Sequence, residues 1–272
     1  MNPAKGPAPR PKRRFSQNFL VDPNMAVKIA SIVAPCPDDD VVEIGPGTGA
    51  LTTALLKTGA RLLCVEVDKE LAERLADTFK QGERFEVIVA DALEFSFTGL
   101  SKESGKRFKL VSNLPYNISG PMLAKLIDER DAFTAMALMF QKEVAERILA
   151  RPGTKEYGSL SVLAQAYMDV RREFDVPPRL FRPVPAVMST VVSLRVLPSP
   201  RVEIEDEAWF KRVVRSAFGQ RRKTLLNALA TLGLDRKVLE EGLSSAGIDS
   251  KRRGETLSIE EFAKLSAALK AA

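Results

Sequence analysis

The chain has 272 residues, 45% hydrophobic and 28% charged, enough for one large domain or for a large and a small one with a proper core. It contains no histidine, which excludes Ser-His-Asp and Cys-His catalysis and the usual zinc sites. A net charge of +6, from 41 Lys and Arg against 35 Asp and Glu, points weakly to an anionic partner.

Residues 1–14 hold Lys5, Arg10, Lys12, Arg13 and Arg14 and no acid. Their Pro, Gly and Ala content predicts a basic, disordered tail, and the lack of an apolar stretch argues against a signal peptide. Helical spacing starts near Asn24, with Met25, Ile29, Ile32 and Val33. Strand and helix patterns then alternate. VVEI, RLLCVEV, FEVIVA, FKLV and FTAMALMF read as strands, and ALTTALLK, KELAERLADTFK and GPMLAKLIDE as helices. VAERILA and LSVLAQAYM continue as helices, and REFDV and VVSLRV close the region as strands. Such alternation predicts an α/β fold with a mostly parallel sheet covered on both faces, over residues 15–200. Pro198 and Pro200 mark a hinge, and the patterns beyond it are helical only. They predict a small all-α domain at 205–272, whose first helices carry Lys211, Arg212, Arg215, Arg221, Arg222 and Lys223. Two acid-free basic runs flanking a catalytic-looking domain favour a nucleic acid. No run of eighteen apolar residues is present, so no membrane-spanning helix is expected. Cys36 and Cys64 do not make a disulfide framework, which fits a reducing cytoplasm.

Chemistry gathers at the strand ends. Glu43-Ile44-Gly45-Pro46-Gly47-Thr48-Gly49-Ala50 follows a strand and opens a helix, and Gly45 and Gly47 let backbone turn tightly and approach a ligand. Glu66 ends the next strand, 21 residues after Gly45, a spacing that suits a carboxylate on ribose hydroxyls. Asp91 ends the third strand, where it can accept from an adenine amine, and Asn113 ends the fourth. Each acid alone reads by default as a helix cap, as does Asp68. All of them together are hard to assign to capping. Gly45, Gly47 and Ala50 also satisfy the nicotinamide pattern, but no hydride-transfer site accompanies them.

The stretch Asn113-Leu114-Pro115-Tyr116 suits another chemistry. An adenine amine is a poor nucleophile because its lone pair is delocalised into the ring. Acceptors aimed at its two hydrogens, Asn113 Oδ1 and the Leu114 carbonyl, favour a more tetrahedral nitrogen. Pro115 fixes the carbonyl and Tyr116 lies against a base drawn out of its stack. Methyl transfer from a sulfonium donor in the glycine crevice needs positioning more than a strong base, so the lack of histidine is no obstacle.

These motifs resemble those of S-adenosylmethionine-dependent adenine-amine methyltransferases. Arg14-Phe15-Ser16-Gln17-Asn18-Phe19-Leu20, Phe181-Arg182-Pro183-Val184-Pro185-Ala186-Val187-Met188-Ser189 and Gln220-Arg221-Arg222-Lys223-Thr224-Leu225 resemble, in order, three further motifs of the ribosomal RNA adenine dimethyltransferases. Ser16 departs from that family's usual glycine. The resemblance implies a Rossmann-like methyltransferase domain and dimethylation of two adjacent adenosines in the 3′-terminal hairpin loop of 16S rRNA. It also implies a part in small-subunit assembly. Asn18, Leu20, Gly45, Gly47, Glu66, Asp91 and Asn113 are the implied cofactor contacts. Tyr116 and Phe181 sandwich the adenine, and Arg221, Arg222 and Lys223 bind rRNA. No metal is implied, and a cytoplasmic monomer working on the 30S subunit or its precursor is expected. The alternatives are a 23S rRNA methyltransferase of the macrolide-resistance type and a non-catalytic assembly factor on the same fold. The Leu of the Asn-Leu-Pro-Tyr stretch and the Arg-Arg-Lys-Thr-Leu stretch favour the small-subunit enzyme over the first, and intact Asn113 and Tyr116 argue against the second.

Overall fold

The computed structural model describes residues 17–80 and 82–271. The expected tail over 1–14, and Arg14, Phe15 and Ser16 of the N-terminal motif, lie outside the described residues. In chain order the elements begin with β1 (Phe19–Leu20), α1 (Pro23–Ala30), β2 (Asp40–Ile44), α2 (Ala50–Leu56), β3 (Arg61–Glu66), α3 (Lys69–Phe79) and β4 (Phe85–Val89). Next come α4 (Phe97–Ser104), β5 (Phe108–Asn113), α5 (Ser119–Asp128), β6 (Phe133–Gln141), α6 (Lys142–Leu149), α7 (Ser159–Tyr167), β7 (Met168–Val176), β8 (Phe181–Arg182) and β9 (Ser189–Val196). Four helices follow: α8 (Glu207–Gly219), α9 (Leu225–Leu229), α10 (Arg236–Ser245) and α11 (Ile259–Ala271).

The main sheet has seven strands in the order β4-β3-β2-β5-β6-β9-β7. Strands β2 to β6 pair in parallel, and β9 runs antiparallel to β6. All five residues of β2 are buried, as a central parallel strand covered on both faces requires. The chain winds outward from β2 through β3 to β4, then crosses back to β5 on the other side of β2. That reversal opens a crevice at the carboxyl ends of β2 and β5, the place where such sheets bind ligands.

Local chemistry explains the element starts. Asp22 caps α1 by accepting from the Met25 N–H at 2.7 Å, with Pro23 in the first turn. Asp68 caps α3 through the Glu70 N–H, the default role expected of it. Helix α4 has no counterpart in the sequence pattern, because only Phe97 of its eight residues is buried. It is fixed by its start instead: Ser96 caps it, and the Glu129 carboxylate accepts from the Phe97 and Thr98 N–H groups at 2.7 and 3.1 Å. The two-residue ladder of β1 with β8 is also unforeseen, since two residues carry no period.

Contacts divide the chain into two compact units. The first comprises the described residues up to Ala145 with Arg171–Val196, and holds the main sheet except Met168–Val170 at the start of β7. The second comprises Glu146–Val170 with Leu197–Ala272. This grouping differs from a linear division at 200 and 205, and side-chain ties account for it. The Arg201 guanidinium donates to the Gln165 carbonyl at 3.0 Å and to the Asp169 carboxylate at 2.9 Å. The Arg221 guanidinium donates to the carbonyls of Lys155 and Tyr157 at 2.6 and 2.8 Å. Around these ties Phe210, Val214, Leu225, Leu229, Leu243 and Phe262 are buried. The expected RKTLLNALATL helix is shorter, starting only at Leu225 after a turn in which the Lys223 N–H reaches the Gln220 carbonyl.

Candidate active site

The cleft lies at the carboxyl ends of β2, β3, β4 and β5 in the first unit. Gly45 and Gly47 both take positive φ, +63° and +57°, so the turn between β2 and α2 favours glycine at both points. A Cβ on Gly47 would stand 2.8 Å from Cδ1 of Phe19, whose ring closes over the turn. Glu66 is buried at the end of β3, and its carboxylate accepts from the Gly47 N–H at 3.2 Å and the Asp68 N–H at 2.9 Å. The acid thereby straps the glycine turn to the neighbouring strand. Burial pushes its pKa up. Asp91 is exposed, and its Oδ1 accepts from the Leu93 N–H at 2.9 Å in the turn after β4.

Asn113 ends β5. Its Nδ2 donates to the main-chain carbonyl of Asn18 at 3.0 Å. The next residues make a tight turn in which the Pro115 carbonyl accepts from the Ile118 N–H and from Ser119 Oγ, each at 3.1 Å. Pro115's carbonyl is thus occupied, and the buried Leu114 lies at the cleft wall between Asn113 and Pro115. The Tyr116 hydroxyl is 2.7 Å from Oγ of the buried Ser189, which fixes the ring's tilt. Burial raises the phenol's pKa.

The structure brings Asn18, Leu20, Gly45, Gly47, Glu66, Asp91, Asn113, Leu114 and Tyr116 to the walls of this one cleft. It does not bring Phe181 there. That ring is 0% exposed in the apolar core with Leu20, Val176 and Val191, and its backbone pairs with Leu20. The resemblance puts this side chain over an adenine, but in this conformation it packs beneath β1. Arg221, Arg222 and Lys223 belong to the second unit. All three are exposed, and Arg221 also holds the two carbonyls of Lys155 and Tyr157.

Two residues that bear on the cleft were not singled out in the sequence. Ser189 ends a recognised motif, but only the fold shows that it meets Tyr116. Glu43 also lines the cleft, fully buried, with Thr52 Oγ1 donating to its Oε2 at 2.7 Å and Cys64 Sγ 3.5 Å away. An acid inside the apolar strand Asp-Val-Val-Glu-Ile was the available signal. Burial raises its pKa from 4.5 to about 7. The fold therefore favours the protonated acid, so this stability is complete below about pH 4.5 and is lost as pH rises through about 7. The displacement corresponds to about 3 kcal/mol at about 1.4 kcal/mol per pH unit. Glu43→Gln should raise the thermal midpoint at about pH 8, with the gain vanishing by about pH 4; a scan showing the same gain at both would contradict this.

Among the described residues, no group of three or more Cys, Asp or Glu is placed to hold a metal ion, and no helix is long and apolar enough to cross a membrane.

The strand order and the cleft at its reversal make this protein a Rossmann-like methyltransferase of the S-adenosylmethionine-dependent class, a fold it shares with two solved structures. A dimethyladenosine transferase from Plasmodium falciparum superposes with a TM-score of 0.76 at 27% identity, covering 91% of this chain and 95% of its own. The 23S rRNA methyltransferase ErmE superposes with a TM-score of 0.68 at 25% identity, covering 93% and 100%. The model of the family described as "Ribosomal RNA adenine dimethylase" matches residues 9–271, and the chain belongs to that family. It is 48% identical over 270 residues to the ribosomal RNA small subunit methyltransferase A of Geobacter metallireducens, covering 98% of each chain. It is 46% identical to the protein of the same name from Syntrophotalea carbinolica, covering 94% of this chain and 96% of that one.

Proposed function

We propose that the protein dimethylates the N6 amines of two adjacent adenosines in the 3′-terminal hairpin loop of 16S rRNA, using S-adenosylmethionine. It would act as a single chain in the cytoplasm, on the 30S subunit or its precursor, with a part in subunit assembly. The observation that carries the reading is the Asn113 amide, held by the Asn18 carbonyl at the wall of the cleft.

The cleft fits S-adenosylmethionine. Its walls offer the Glu66 and Asp91 carboxyl groups to the hydroxyls and amines of such a ligand, beside the positive-φ turn at Gly45 and Gly47. Glu66 would take the ribose hydroxyls and Asp91 the adenine amine, with Asn18, Leu20, Gly45 and Gly47 forming the remaining walls. When bound, the cofactor supplies an electrophilic methyl group. Asn113 Oδ1 and the Leu114 carbonyl accept from the two hydrogens of the target amine and bare its lone pair. Tyr116 stacks on the base, and Phe181 joins it from the other face if the β1–β8 ladder shifts. Once alkylated, the nitrogen is acidic and releases its proton without a histidine base.

The test is incubation of the protein with labelled S-adenosylmethionine and with undermethylated small and large subunits, followed by mapping of the label. Label on adjacent adenosines near the 16S 3′ end supports the reading. Label confined to 23S rRNA, or none on either subunit, overturns it.

The helical region 205–272 would supply rRNA contacts, and the tail at 1–14 adds positive charge. Arg222 and Lys223 are free of the structural duty that Arg221 carries, so they make the cleaner test. Arg222→Ala with Lys223→Ala should weaken particle binding and flatten the slope of log K against log salt, by roughly 0.9 per lost contact on duplex-like RNA. Cofactor affinity should hold constant. An unaltered slope would assign these side chains to the fold alone.

A further inference from the structure

The Asn113 amide has a donor end and an acceptor end, and only one orientation serves the proposed transfer. A carbonyl oxygen accepts and never donates, so the branch of Asn113 facing Asn18 O must be the NH₂. Turned the other way, Oδ1 would oppose a second acceptor, and a donor would face the hydrogens of the target amine. The Asn18 carbonyl is itself held independently of Asn113. Phe19 and Leu20 pair with Arg182 and Phe181, and the Val21 N–H donates to the Leu180 carbonyl at 2.9 Å. Leu20 is buried in the core, and the Phe19 ring lies over Gly47.

We infer that the main-chain carbonyl of Asn18 is a positioning group for methyl transfer: it fixes the Asn113 amide with Oδ1 toward the target amine. This rests on the proposed reaction and deepens it. The segment 17–20 lines the cleft and also holds the amide, so it joins the cofactor's wall to the chemical step.

Asn113→Asp tests this through pH. The ionised carboxylate in that variant has no donor for Asn18 O, and two acceptors meet. The protonated carboxyl donates to Asn18 O and offers its other oxygen to the amine. Titratable groups also line the same cleft: Glu43 from β2, Glu66 from β3, Asp91 after β4 and Tyr116 after β5. Wild type carries all of them, so the ratio of variant to wild-type single-turnover rate at each pH cancels their titration. At saturating cofactor the ratio should rise as pH falls, approaching about tenfold per pH unit above the new carboxyl's pKa. A ratio flat between about pH 5.5 and 8.5, near wild type or near Asn113→Ala, would overturn the inference. Wild type that labels no adenosine would instead sink the reaction itself. Should Asn113→Asp not fold, an ester in place of the Phe19 amide weakens the Asn18 carbonyl as an acceptor. It should slow transfer several-fold with Asn113 present and leave Asn113→Ala unaffected; equal slowing in both would also overturn the inference.

Discussion

Asn113→Ala should lower the single-turnover rate of methyl transfer to undermethylated small subunits by about a hundred- to a thousandfold at saturating cofactor. The size is set by analogy with removing one preorganised group aimed at developing charge, which costs about 2.7–4 kcal/mol. The amide is preorganised, because Nδ2 is bound to the Asn18 carbonyl before any substrate arrives. Its acceptor gains strength as positive charge grows on the target nitrogen, so the loss falls on kcat. Alanine also removes the Asn113–Asn18 hydrogen bond, a smaller net cost of about 0.5–1.5 kcal/mol that will appear in stability. The two effects separate in a thermal scan alongside the rate. A folded Asn113→Ala enzyme that transfers at the wild-type rate would make the strand-end amide structural. Tyr116→Phe is a useful companion: it keeps the ring and loses only the bond to Ser189, so its effect should be mild.

The site was legible where a strand ends in a polar residue. Glu66, Asp91 and Asn113 each follow an apolar run, and parallel strands bring successive carboxyl ends to one edge whatever the helices between them do. Gly45 and Gly47 were legible because positive φ selects glycine. What could not be read depends on contacts between segments distant in sequence. Asn113 and Asn18 are 95 residues apart, and Tyr116 and Ser189 are 73 apart. No local pattern encodes either bond. The same holds for Arg221. Its charge suggested RNA, yet its guanidinium satisfies two carbonyls more than sixty residues away. Phe181 shows the converse difficulty. Apart from the resemblance it reads as a core residue, the commoner role of such an aromatic, and here it is buried in the core. The grouping of Glu146–Val170 with the C-terminal helices is hidden for a similar reason, because that segment continues the strand–helix texture of the sheet region while Arg201 and Arg221 bond to it from beyond the hinge.

Glu66 and Asp91 make the other test with a large expected effect, and the structure separates their responses. Both acids are expected to grip the cofactor, and loss of a hydrogen bond to a charged group costs roughly 1.5–3 kcal/mol, or about ten- to a hundredfold in Kd. Asp91 is exposed and caps only a local turn, so Asp91→Ala should show that loss in affinity with little change in stability. Glu66 is buried and accepts from the Gly47 and Asp68 N–H groups. Glu66→Ala removes the acceptor for both and releases the glycine turn from β3, so affinity and stability should fall together. Glu66→Gln divides the two roles. The two N–H groups reach different carboxylate oxygens, so the glutamine oxygen replaces one of them and its NH₂ meets the other donor, and the turn is only half held. It also takes a net charge out of a buried site where burial already disfavours the ionised form. Stability of Glu66→Gln should therefore lie nearer wild type than that of Glu66→Ala, while its cofactor affinity remains at least tenfold weakened, about 1.4 kcal/mol. Calorimetry with S-adenosylmethionine and a thermal scan on the same samples decide it. Wild-type affinity in folded Glu66→Gln and Asp91→Ala would move the cofactor out of this end of the cleft.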